Sequence, residues 1–88
     1  MDGKGRNDSG GNTSQATLAS VPPGEQALLK NFAPELALER RTQLQAYGLV
    51  PGRWVRVLQG WPVVVVQVEH TEIALENGLA NQIWISGD

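Results

Sequence analysis

Apolar residues follow two rhythms along this chain, and the change from one to the other falls at Gly48. Before it, a helix is predicted from Pro34 to Tyr47. At about 100° per residue, Ala33, Leu36, Ala37, Leu44 and Tyr47 share one stripe, as expected of a helix buried on one side. Pro34 suits the first turn, where a missing N–H costs nothing. Leu38 points away from the stripe. Arg40 falls inside it, so its stem is expected to cover apolar surface while the guanidinium reaches water, or else to pair with a carboxylate at the rim. Gly48 can take the left-handed conformation that ends helices, and Pro51-Gly52 supplies the fixed φ followed by the positive φ of a type II turn.

After that corner the rhythm is that of strands. Val55 and Val57 alternate with Trp54, Arg56 and Leu58, which places the valines inward. Gln59-Gly60-Trp61-Pro62 reads as a loop with Trp61 near its tip. Val63 to Val68 follows as a strand whose unbroken valine run predicts cover on both faces. Glu69-His70 form a turn and Thr71 to Leu75 a strand. Glu76 to Asn81 read as one helical turn or a loop, and Gln82 to Ile85 as the closing strand. Upstream, Leu18 and Val21 open the ordered part, Pro22-Pro23-Gly24 turns the chain, and Glu25 to Lys30 form the first strand. The fold class expected is mainly β with one helix, a small α+β chain. Five short strands hide their edges best by curling into an SH3-like barrel, with the helix between the first and second strands.

Composition narrows the range of functions. The chain has 88 residues, no cysteine, seven Lys+Arg and a formal net charge of -2. One small domain at residues 17–88 is expected, without a disulfide framework or thiolate metal site. So few basic residues argue against nucleic-acid binding, which needs a concentrated basic surface. No apolar run approaches the roughly 20 residues of a spanning helix, and none resembles a signal peptide, so a cytoplasmic protein without membrane insertion is expected. Residues 1–16 are rich in Gly, Ser, Asn and charge, and are expected to form a disordered tail.

Candidate chemistry is sparse. His70 and Glu72 share a strand face, with Glu69 and Glu76 close in sequence, but one histidine without thiolates falls short of a closed metal site; no metal ligand and no cofactor is expected. The serines have only His70 as a base, and no nucleophile, base and orienting acid can be assembled, so an enzyme is disfavoured. The three tryptophans draw attention instead. Trp61, beside Pro62 at a loop tip, is the best candidate for a partner contact. Trp54 and Trp84 are expected to pack on their own barrel. Trp54, Arg56 and Leu58 share the outer face of their strand, and with Arg40 and Arg41 form a secondary candidate surface.

Several of these pieces, taken in order, resemble the ferrous iron transport protein A family, FeoA, and the related SH3-like domain of some iron-dependent repressors. They are Leu18 with Pro23-Gly24-Glu25, Leu44 followed by Tyr47-Gly48-Leu49-Val50-Pro51-Gly52, Val55 and Val57, Gly60 with Pro62, Ile73-Ala74-Leu75, and Leu79-Ala80 with Ile83 and Ile85. The chain departs from the family pattern at Gln43, Glu76, Trp61 and His70, so its charged surface differs from that of a typical member. The resemblance implies a non-enzymatic accessory protein of bacterial ferrous iron uptake. Its implied partner is the cytosolic part of a FeoB-type membrane GTPase transporter, with weak homo-oligomerisation left open. An SH3-like peptide-binding or dimerising module outside iron transport is the competing class, and a metal sensor a weaker third.

Overall fold

The computed structural model describes residues 15–86. The tail expected at residues 1–16 lies almost wholly outside them. Five strands form one antiparallel sheet: β1 Gln26–Phe32, β2 Trp54–Gln59, β3 Val64–Val68, β4 Thr71–Leu75 and β5 Ile83–Ile85. Their order across the sheet is β4-β3-β2-β1-β5. Helix α1, Leu38–Ala46, joins β1 to β2, and the short α2, Asn77–Ala80, joins β4 to β5. A single 3₁₀ turn, Leu18–Ser20, precedes the sheet and buries Leu18 completely.

One core receives side chains from every strand, among them Leu29, Val57, Val66, Leu75 and Ile83. Five strands can reach a common core only if the sheet curls around it, which makes the barrel. The bend is taken by β1. Its first half pairs with β2, Leu28 opposite Trp54, and its second half pairs with β5, Phe32 opposite Ile83. The register shifts between Leu29 and Asn31, and such an irregularity lets one strand serve both halves of the barrel.

The corner at Gly48 forms as its local chemistry predicts. Gly48 has φ 103°, its N–H donates to Gln45 O at 3.0 Å, and the Leu49 N–H reaches back to Leu44 O at 3.1 Å. This paired closure ends α1, and it brings Leu49 and Leu44 together in the core. At the next turn Gly52 has φ 92° and the Arg53 N–H donates to Val50 O at 3.2 Å, a type II turn with Pro51 ahead of the glycine.

Two expectations need correction. The helix begins at Leu38, not at Pro34. Ala33 to Leu36 instead make a separate turn, closed by Leu36 N–H to Ala33 O at 3.0 Å. The Arg41 side chain donates Nε to Leu36 O at 2.9 Å and NH2 to Pro34 O at 3.0 Å and Ala33 O at 3.3 Å. Carbonyls that a longer helix would have used internally are thus satisfied by a guanidinium, and Ala33 and Leu36 still reach the core from the turn. With the helix shortened, Leu44 is its only buried residue. Tyr47, expected in the stripe, is the C-cap and is 52% exposed.

The valine run is the second correction. Val64, Val66 and Val68 are buried while Val65 and Gln67 between them are only half-buried. The alternation is that of a strand covered by the core on one face and partly by neighbouring outer side chains on the other.

Candidate partner-binding surface

The Trp61 loop joins β2 to β3 and is anchored on both sides. Gln59 Nε2 donates across its base to Val63 O at 3.2 Å, and Asn77 Nδ2, at the start of α2, donates to Pro62 O at 3.1 Å. Gly60 abuts Pro23, whose ring would lie 3.8 Å from a Cβ added there. Held in this way, the loop presents Trp61 to solvent at 80% exposure, the highest among the exposed large apolar side chains of the described residues. A loop backbone held before binding need not be ordered when a partner covers its tryptophan, which lowers the cost of association.

Arg40 lies on the other side of the Glu76–Leu79 segment. It lines a groove with Leu36, Leu79, Gln82 and the two carboxylate residues Glu35 and Glu76. Its position on the face of Leu44 does not bury it, because the first turn of α1 overhangs that groove instead of the core. Arg41, its neighbour in sequence, is turned into the Ala33–Leu36 turn and half-buried there. The two arginines therefore do different work despite adjacent positions: one is open to a partner, the other holds backbone.

Trp54 belongs elsewhere. It begins β2, whereas Trp61 lies beyond its end, so about 17 Å of strand separates the two regions. The expectation that Trp54 would pack on its own barrel is not met, since it is 59% exposed; Trp84 is half-buried. Trp54 stands opposite Leu28 and borders a shallow groove of about 400 Å³ with Val21, Pro22 and Gln26. Arg56 lies along the same outer face and donates NH1 to Gly24 O at 2.8 Å, tying β2 to the turn before β1. Periodicity did place Trp54, Arg56 and Leu58 outward. The exposure of Tyr47 and the role of Arg41 were missed, because both depend on where the helix begins and ends.

His70 sits exposed in the β3–β4 hairpin, and Glu69 beside it has φ 56°. Glu69 pairs with Arg53, which directly precedes the neighbouring strand β2. Among the described residues no three His, Cys, Asp or Glu side chains come together as metal ligands would.

The FeoA domain profile matches residues 16–87. The chain belongs to the FeoA domain family. Among solved structures, the Stenotrophomonas maltophilia FeoA complexed with zinc is similar over 81% of this chain and 89% of that one, at 25% identity and a TM-score of 0.71. That protein is described as a procaryotic SH3 domain protein possibly acting as a ferrous iron transport activating factor. An iron uptake regulatory protein, also FeoA, is similar over 78% of this chain and 90% of its own, at 25% identity and a TM-score of 0.69. IdeR of T. acidophilum shares the fold at 21% identity and a TM-score of 0.73, over 88% of this chain but 36% of its own. No curated protein matches the chain. The FeoA membership and the SH3-like barrel expected from the sequence are thus both found.

Proposed function

We propose that this FeoA-family chain is a non-enzymatic accessory factor of bacterial ferrous iron uptake, working in the cytoplasm through contact with the cytosolic part of a FeoB-type membrane GTPase transporter. Family membership over residues 16–87 carries the reading. The Stenotrophomonas maltophilia relative, described as possibly acting as a bacterial ferrous iron transport activating factor, supports it. No helix of the described residues is long and apolar enough to cross a membrane.

The contact is assigned to Trp61 and to the groove lined by Arg40, since the Trp61 loop and that groove both adjoin the segment from Glu76 to Leu79. Trp54 forms a second, separate surface. Covering an anchored, exposed tryptophan can contribute about 2 kcal/mol or more, roughly thirtyfold in affinity, whereas an exposed arginine acts mainly on association rate. Surface plasmon resonance against the cytosolic G domain of the cognate transporter separates the two. Trp61→Ala is expected to speed dissociation, and Arg40→Ala to slow association and flatten its salt dependence. Wild-type kinetics in both folded variants would move the contact to another face. Absence of any binding by the wild-type chain, together with unchanged ferrous iron uptake after its gene is deleted, would overturn the function.

A further inference from the structure

The two edges of the curled sheet are treated differently. At the β5 edge, the Ile85 N–H donates to Ala16 O at 3.0 Å, Gln15 Nε2 donates to Ile85 O at 3.0 Å, and Thr17 bridges to Trp84. That edge is covered by the chain's own N-terminal segment. At the other edge, β4 pairs with β3 and makes no backbone hydrogen bond to any other described residue. Every second N–H and C=O of Thr71 to Leu75 therefore faces outward, and an uncovered strand of this kind is a template for another strand.

The flank of this edge is apolar in part. Tyr47, half-exposed at the end of α1, forms with Thr71 to Ala74 a groove of about 290 Å³. Ile73 is half-buried and Ala74 exposed, so β4 shows water apolar side chains on both of its faces. Glu72 is its one charge.

Charge selects the strand that fits. When two copies of β4 pair antiparallel about a two-fold axis at Ile73, Ile73 meets its own counterpart and Thr71 meets Leu75 of the second copy. Glu72 then meets Ala74 of the second copy, and just past the strand ends His70 faces Glu76 of the second copy. Moving the axis one residue to Glu72 sets Glu72 against itself. Moving it to Ala74 sets Glu72 against Glu76. Directly opposed like charges are unfavourable, so of the three axes only the one at Ile73 avoids a carboxylate clash. Among the two-fold registers that pair three or more residues of β4 with the second copy, it is the one free of opposed carboxylates.

From this juxtaposition we infer that β4 is a homotypic docking edge, where a second copy of the chain adds antiparallel about Ile73 and extends the sheet, with Tyr47 flanking the seam. Five residues a side plus one tyrosine fall below the roughly 1,200 Å² of a stable interface, so the dimer is weak and concentration-dependent. Such a device would link FeoA copies without using the Trp61 loop, and it stands independently of the transporter contact proposed above.

Sedimentation equilibrium on the full chain, from micromolar to about 1 mM, tests it. The wild-type chain is expected to gain mass with concentration. Ala74→Glu places a new carboxylate opposite Glu72 twice per dimer and should weaken association about tenfold. Ala74→Glu combined with Glu72→Lys puts opposite charges across the same axis and should restore it. Both positions lie exposed on the outer face, opposite Val65 and Gln67 within the chain, so the variants keep the core; circular dichroism confirms their fold. A chain that stays monomeric throughout, an Ala74→Glu variant that associates like the wild type, or a double variant that fails to recover would each overturn the inference.

Discussion

Leu44 shows how one side chain can hold two elements together. It is 3% exposed, its carbonyl accepts the N–H groups of Tyr47 and Leu49, both at 3.1 Å, and Leu49 beneath it is fully buried. Gly48 between them would bring an added Cβ to 3.2 Å from Val68 Cγ1, so the helix end is seated directly on β3. With no room for neighbours to collapse into the gap, Leu44→Ala should cost about 2–5 kcal/mol. Leu38, six residues earlier on the same helix, is 76% exposed and should cost a small fraction of that. Guanidinium melts of the two variants measure the difference directly, and equal midpoints would remove Leu44 from the centre of the core.

At the scale of elements, the boundary of α1 is the feature with most consequence. Ala37 at its N-cap provides no side-chain hydrogen bond, so the helix start depends on what precedes it. The Arg41 guanidinium, which can only donate, fixes that preceding turn by binding the carbonyls of Ala33, Pro34 and Leu36. Charge-assisted bonds of this kind contribute more than neutral ones, and removing the donor leaves the part-buried Leu36 carbonyl without its guanidinium partner, while Ala33 O keeps the Leu36 N–H. Arg41→Ala is therefore expected to lower stability by about 1.5–3 kcal/mol, while Arg40→Ala, in an exposed groove, should leave the unfolding midpoint nearly unchanged. Urea titrations distinguish them. The same contrast makes Arg40→Ala, and not the paired substitution, the informative variant in binding work.

For the molecule as a whole, the barrel is completed by what lies at its two edges. Residues 15–17 cover β5, and Leu18 just after them is fully buried in the core. Met1 to Ser14 contribute no apolar side chain after the first residue. Removal of Met1 to Ser14 should therefore change stability by less than about 1 kcal/mol, whereas a deletion continuing through Leu18 should abolish cooperative folding. Calorimetric melts of the two truncations test this, and a large loss from the shorter one would show that the tail docks. The opposite edge, β4, is left for another chain. The anchored Trp61 loop opens a second outlet on the same small barrel, so two contacts can coexist on a chain of 88 residues.

Elements whose determinants are local were legible in the sequence. Gly48, the Pro51-Gly52 turn, the Glu69-His70 hairpin and the span of β4 follow from glycine, proline and two-residue periodicity, which act over a few residues and need no tertiary partner. The inward valines of β2 follow from the same rules, whereas the 80% exposure of Trp61 was not fixed by its place near a loop tip. The start of α1 did not follow from those rules, because Arg41 acts five to eight residues back through its side chain, and no helical periodicity records such a contact. Periodicity put Trp54 on the outer face of β2 but did not give its 59% exposure, because how far neighbouring side chains lie over a tryptophan depends on tertiary packing. The separation of Trp54 from Trp61, and the different fates of Arg40 and Arg41, were likewise set by packing between distant segments. Local chemistry determined the turns and the strands; the curl of the sheet, which sums contacts far apart in the chain, decided which side chains face a partner.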